Sequence, residues 1–227
     1  MFHWFEQRPF FFAVLVFLFV AFAGIVEVIP DFAKQSRPSV GTKPYSVLEL
    51  AGRQVYIKDS CNACHSQLIR PFKSETDRYG MYSLSGEYAY DRPFLWGSKR
   101  TGPDLMRVGN YRTTDWHENH MYEPSAVVPG SIMPAYKHQF TNKADLDTAY
   151  AEAYTVKTVF ATPYDQDLDG DGKIDVELGD YATAIAKAKE DAKAIAAGMK
   201  NEAIKAEVEQ GKIPEIVALI AYLNSLK

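Results

Sequence analysis

The sequence predicts a mainly α-helical protein that begins with one membrane-spanning helix. Three observations lead there. An uncharged apolar run, FFFAVLVFLFVAFAGIV, occupies residues 10–26. A five-residue motif, Cys61-Asn62-Ala63-Cys64-His65, directly follows a stretch with helical character. The closing segment IPEIVALIAYLNSL (213–226) places Ile216, Leu219, Ile220, Leu223 and Leu226 at helical intervals.

Composition sets the outer limits. At 227 residues the chain can hold one domain, or one domain together with an anchor and an extra segment. Its 47% hydrophobic and 24% charged content is ordinary for a globular protein. A net charge of −4 and the lack of a basic run argue against a nucleic-acid partner.

Residues 1–9 read as a short cytoplasmic segment and 10–29 as the transmembrane helix. About 20 apolar residues suffice to cross a ~30 Å hydrocarbon core. Phe2, Trp4 and Phe5 stand where an aromatic belt would lie. Ala21-Phe22-Ala23 also fits a signal-peptidase pattern, but the apolar run continues past it and is long for a signal h-region. That favours an uncleaved anchor. The basic residues do not orient it, since Arg8 precedes the span and Lys34, Arg37 and Lys43 follow it. Glu27 reads as a solvated residue at the headgroup level.

Residues 30–44, rich in proline and polar groups, read as a linker. A helix is expected from Ser46 to about Lys58, with Ser46 as cap and Glu49 at the capping-box position. It delivers the Cys61–His65 motif. From Arg70 to Tyr136 the chain is dense in Gly, Pro, Tyr and Trp and shows little periodicity. A second helix is expected over Lys143 to Phe160, with Leu146, Ala149, Tyr150, Ala153 and Phe160 on one side.

C-x-x-C-H is the attachment pattern of a c-type haem. Two thiols three positions apart reach two vinyl groups on one porphyrin edge, and the adjacent histidine becomes the proximal iron ligand. Both cysteines of the chain lie in this motif. A zinc site would need further ligands at matching spacing, and none follows. A loop-rich stretch around such a cofactor is sensible, because the haem supplies part of the apolar core. Covalent haem c also places the C-terminal bulk on the outer side of the membrane.

A sixth ligand is needed, and a His/Met pair raises the potential and leaves no open site for oxygen. The downstream methionines are Met81, Met106, Met121, Met133 and Met199. Met133 is preferred, because Pro134 restricts it to an extended conformation that suits a loop offering sulfur to a metal. His117, His120 and His138 are rival ligands, and a bis-histidine haem would have a lower potential.

CNACHSQLIRPF (61–72), RYGMYSLSGEYAYDRPFLWGSKRTGPDLMRVG (78–109) and VVPGSIMPAY (127–136) resemble the membrane-anchored monohaem cytochrome c subunit (subunit II) of cbb3-type cytochrome c oxidases. The resemblance covers most of the chain outside about 161–212. It implies a class I cytochrome c-like domain (45–160) wrapped around one covalent haem c, closed by a C-terminal helix (213–227) and interrupted by a partly helical insertion (161–212). It implies Cys61 and Cys64 as haem attachments and His65 and Met133 as axial ligands. Gly102-Pro103-Asp104-Leu105 matches the family's G-P-D-L turn, whose proline carbonyl receives the histidine ring N–H; Pro103 and Leu105 would thus belong to the haem environment. Arg70, Trp96, Lys99 and Arg100 also match family positions, with haem propionates or a catalytic subunit as their expected contacts. Glu123-Pro124-Ser125 departs from the family's Asn-Pro-Arg, so one arginine contact is missing or supplied elsewhere.

The implied function is electron transfer. Single electrons would arrive from another c-type cytochrome, as a multihaem partner subunit or a soluble donor. They would pass to a membrane-embedded catalytic subunit that reduces oxygen. The implied location is the bacterial inner membrane, with the haem domain in the periplasm. No nucleophile–base pair or phosphate loop points to an active site of the chain's own. The alternative is a free-standing anchored cytochrome that shuttles electrons between respiratory complexes.

The insertion opens with an acidic run over Asp165 to Asp175, and from Asp167 the residues Asp167-Leu168-Asp169-Gly170-Asp171-Gly172-Lys173-Ile174-Asp175 match the first nine positions of an EF-hand loop. Asp167, Asp169, Asp171, Lys173, Asp175 and Glu177 form a candidate calcium set, with a structural role. Leu178 stands where the bidentate glutamate belongs, and Glu177 or Asp180 is the available substitute. The Ala/Lys/Glu-rich run from Tyr181 to about Glu209 reads as exposed helix, broken near Gly198.

Overall fold

The computed structural model describes residues 2–33 and 37–227. Ten α-helices run along the described chain: α1 (Phe2–Glu6), α2 (Pro9–Ala33), α3 (Val47–Lys58), α4 (Lys73–Tyr79), α5 (Thr114–Tyr122), α6 (Pro124–Val127), α7 (Leu146–Val159), α8 (Tyr181–Ala197), α9 (Glu202–Glu209) and α10 (Glu215–Ser225). Among the described residues there is no strand, only an isolated bridge between Lys143 and Pro214. The chain divides into two compact units, 1–37 and 38–227.

In the first unit, Pro9–Ile29 is 21 residues long and the one described helix long and apolar enough to cross a membrane. The helix continues to Ala33, so residues 30–33 are helical and not the start of a linker. Residues 34–36 of the expected linker lie outside the described residues.

The second unit is built on the crossing of α3 and α10. Ser46 caps α3, accepting from the Glu49 N–H while the Glu49 carboxylate accepts from the Ser46 N–H at 2.7 Å. α10 is buried along its length, with Ile216, Leu219 and Ile220 fully enclosed. Pro214 caps this helix and does not enter its first turn. The crossing is close because Gly52 has no side chain. A Cβ there would meet the Ala218 carbonyl carbon at 2.5 Å. Tyr222 of α10 presents its ring edge to Tyr45 and Tyr56, each at 5.6 Å, and its hydroxyl donates to Gln67 Oε1 at 3.0 Å. α7 lies against α3 through buried Ala149 and Ala153, tied by Gln54 to Glu152 at 2.8 Å.

The insertion differs from expectation. α8 ends at Ala197 and Gly198 caps it, but the helix is not simply exposed. Ala184, Ala188, Ala192 and Ala196 form one buried stripe, packed into the main core with α3 and α10. Four alanines spaced four apart lie on one helix face, and their small side chains let the backbones approach. Residues 161–212 therefore belong to the same compact unit as the rest of the domain.

Candidate functional site

After α3, Ser60 adopts a left-handed conformation (φ 55°) and turns the chain into a 3-10 turn over Cys61–Ala63. The His65 N–H donates to the Cys61 carbonyl at 2.9 Å. The stretch 64–66 then runs beside 102–105. Gly102 N–H donates to Cys64 O at 2.9 Å and Leu105 N–H to Ser66 O at 2.8 Å. Asp104, almost wholly buried, locks this pairing by accepting from Ser66 Oγ (2.7 Å), Leu68 N–H (2.8 Å) and Met106 N–H (2.9 Å).

The pairing aims His65. Its Nδ1 lies 2.8 Å from the Pro103 carbonyl, so Nδ1 carries the proton and Nε2 is left with a lone pair. Gly102 makes room for the ring, since a Cβ there would stand 2.6 Å from Nδ1. Burial lowers the imidazole's pKa against the opposing pull of the Pro103 hydrogen bond, which keeps the ring neutral and able to ligate. Cys61 is buried and Cys64 exposed, and no disulfide joins them. Burial pushes the Cys61 thiol up to about 12, the opposite of the lowered value that a thioredoxin-like pair requires.

His65 and Cys61 face a cavity of about 290 Å³. That volume lies close to the lower end of ligand pockets, roughly 300–1,000 Å³. Pro103, Leu105 and Val108 form the wall on the His65 side, Leu219 and Leu223 of α10 add apolar floor, and Tyr56 comes from α3. Trp116, His117, His120 and Met121 of α5, together with Met133, complete the lining. The sequence-predicted residues Cys61, His65, Pro103, Leu105 and Met133 are thus brought together; Cys64 lies beside them on the exposed side of the turn.

The structure also sorts the rival ligands. Met81 is 59% exposed, Met106 sits in a separate small cluster and Met199 is buried in the main core, all away from the cavity lining. His138 is tied to Asp59 at 3.0 Å. Met133, Met121, His117 and His120 share the cavity with His65. Met133 sits on an extended loop, its N–H donating to Ser131 Oγ at 3.2 Å, and the Tyr136 N–H closes the loop onto Met121 O at 2.8 Å.

Several cavity-wall polar atoms are buried without partners: Tyr56 Oη, both ring nitrogens of His117, and His120 Nδ1. Each such atom costs about 1–3 kcal/mol if left unsatisfied. Burial pushes both histidines down to about 4, so they are neutral at pH 7. An apolar chamber with a bare imidazole nitrogen, a thioether and flanking thiols fits a haem, and the orphaned atoms call for the polar groups such a cofactor carries.

Arg70, Trp96 and Arg100 do not line the cavity. Arg70 and Arg100 both pair with the buried carboxylate of Glu75, Arg100 at 2.7 Å, and Arg100 also donates to Leu68 O at 2.8 Å. Trp96 stacks on Phe94 at 4.5 Å and meets Tyr88 edge-on. Their common role in this structure is bracing the stretch after the motif. Sequence reasoning treated His117 and His120 only as rival ligands and passed over Tyr56 and Arg112. The available signal was the pair of histidines three apart beside a tryptophan.

In the acidic loop, Asp167, Asp169 and Asp175 bring carboxylate oxygens within 4.8 Å of one another. Lys43 pairs with Asp175 and lies 3.9 Å from Asp169. Asp171, Lys173 and Glu177 stand outside that cluster. Leu178 is buried (1% exposed) in the main core, which explains an apolar residue at position twelve. Asp180 is committed to capping α8, accepting from Thr183 N–H at 2.8 Å, and is not a substitute ligand.

Comparison with known proteins agrees with this geometry. The family model described as "Cytochrome C oxidase, mono-heme subunit/FixO" matches residues 2–227. No curated protein gave a significant match. The chain belongs to the mono-haem cytochrome c oxidase subunit family, as its resemblance to the cbb3-type subunit implied. It is therefore a one-haem, electron-transferring subunit of an oxidase, and its apolar N-terminal helix fits a membrane anchor.

Proposed function

We propose that the chain carries single electrons through a haem c attached to Cys61 and Cys64 and ligated by His65 and Met133. The observation that carries this reading is the placement of His65 and Met133 on one cavity, with His65 Nδ1 already engaged by Pro103. The haem, when bound, supplies a one-electron couple. The chain's own residues orient and insulate it. Pro103 holds the tautomer, Gly102 admits the ring, and Leu105, Val108, Leu219 and Leu223 keep water from that side. His65 and Met133 would hold the iron between them, and the haem would then supply electron transfer without an open site for a substrate.

The donor in this reading is another c-type cytochrome, in a partner subunit or in solution. The acceptor is the membrane-embedded catalytic subunit. α2 anchors the chain in the bacterial inner membrane, with residues 1–9 cytoplasmic and the haem domain periplasmic. The acidic loop binds calcium through Asp167, Asp169 and Asp175, displacing the Lys43 ammonium, and pins the insertion to the segment before α3.

A reduced-minus-oxidised spectrum of the tagged chain, purified mildly from native membranes, should show haem b bands beside haem c. Haem c alone in repeated preparations would favour the free-standing cytochrome. Met133→Ala should lower the reduction potential and make the ferrous protein bind carbon monoxide. An unchanged potential with no carbon monoxide binding would remove Met133 as the ligand.

A further inference from the structure

His117 is 1% exposed, lines the cavity shared by His65 and Met133, and has neither ring nitrogen hydrogen-bonded. A packed core histidine ordinarily finds at least one partner. Here the unfilled side of the ring is the cavity itself. Arg112, five residues before it and ahead of α5, lines the same cavity and lies with its guanidinium 4.2 Å from the Trp116 ring centroid. Among the described residues no carboxylate pairs with it. Trp116 in turn stacks on His120 at 4.5 Å. One wall thus offers a buried hydrogen-bond donor and an uncompensated cation side by side.

A porphyrin's rim is apolar except for its two carboxylates, so an anion-seeking wall in a haem chamber has one natural partner there. Arg70 and Arg100, matched to family positions with haem propionates or a catalytic subunit as their expected contacts, both pair with Glu75. We propose that His117 and Arg112 hold a haem propionate, His117 donating a ring N–H and Arg112 supplying the charge. Both are positioning residues, and the assignment rests on the haem reading above. Neutral His117 suits the role, since a donor without its own charge avoids repulsion with the neighbouring guanidinium.

The test uses the full chain purified with its haem. A pyridine haemochrome spectrum of the parent first establishes covalent haem; its failure would sink the haem reading and not this assignment alone. Resonance Raman spectra then follow the propionate bending band and the axial-ligand bands. His117→Phe and Arg112→Met should each shift the propionate band, and His117→Gln, which keeps a donor, should restore it toward the parent position. The methionine–iron charge-transfer band should persist in all three. A propionate band that stays in place in His117→Phe and Arg112→Met overturns the proposal. So does a His117→Phe spectrum in which only the axial-ligand bands change, because His117 would then serve the iron. Should His117→Phe yield no holoprotein, Arg112→Met decides: a shifted band supports the assignment and an unmoved one ends it.

Discussion

The stretch 61–136 and the segment 161–212 lie in one compact unit and are built in opposite ways. The first winds around a cavity. Its order comes from hydrogen bonds onto backbone, such as those of Asp104 and Glu75, and its wall leaves polar atoms of His117 and His120 unpartnered. The second closes on itself. α8 seats four alanines against the core, Leu178 plugs beneath the acidic loop, and Asn201 and Asp180 cap the two helices. A region that leaves buried polar atoms open is waiting for a partner that the chain does not encode. A region that satisfies its own atoms and volume is scaffold.

The largest effect that would break this contrast is expected at Gly102. Gly102→Ala places a methyl against the His65 ring. Overpacking of about 1–3 kcal/mol corresponds to a loss of His65-ligated holoprotein of roughly fivefold to a hundredfold, read from the haem absorption per chain. A parent-like spectrum would show that the ring is not held as described. Ala192→Leu offers the converse. It should destabilise the domain by about 1–3 kcal/mol in denaturant unfolding while leaving reduction potential and haem bands unmoved. A shifted potential would mean that the insertion and the cavity are not separable.

A pH-dependent effect of comparable size is expected at Glu75. Burial alone would raise its pKa, but hydrogen bonds from the Arg70 N–H and the two guanidinium groups win and hold it down at about 2, against an ordinary 4.5. A carboxyl lowered in the folded state stabilises above its unfolded value and loses that contribution as pH falls toward the folded one. Glu75→Gln should therefore cost about 1–3 kcal/mol at neutral pH. The gap to the parent should close as pH falls from 4.5 to about 2, and a gap independent of pH would refute the coupling. The smallest effect concerns the acidic loop. Calorimetric titration with calcium should give heat in the parent and none after Asp169→Ala with Asp175→Ala. A silent parent would leave Lys43 as the loop's resident cation.

Much of this was legible locally. C-x-x-C-H, the uncharged run over 10–26, the Ser46/Glu49 capping box and the period of 213–226 are each written within a few residues of one another, and local rules read them. The Met133-Pro134 loop was legible for the same reason, and the structure puts Met133 on the cavity with His65. The alanine stripe of α8 was misread because alanine carries little hydropathy signal, so a packed face and a solvated one look alike. The pairing of Arg70 and Arg100 with Glu75 was not legible, because a charged residue near a cofactor motif says nothing of which carboxylate it meets. The sequence by itself determined the apolar N-terminal helix, the C-x-x-C-H pattern, the helical class and the short list of candidate ligands, all consequences of covalent spacing and hydrophobic period. Only the tertiary structure decided that Glu75 takes both arginines, that α8 is core, and that His117 faces the cavity with open nitrogens. Those depend on contacts between residues tens of positions apart, which burial and close packing select and no local pattern encodes.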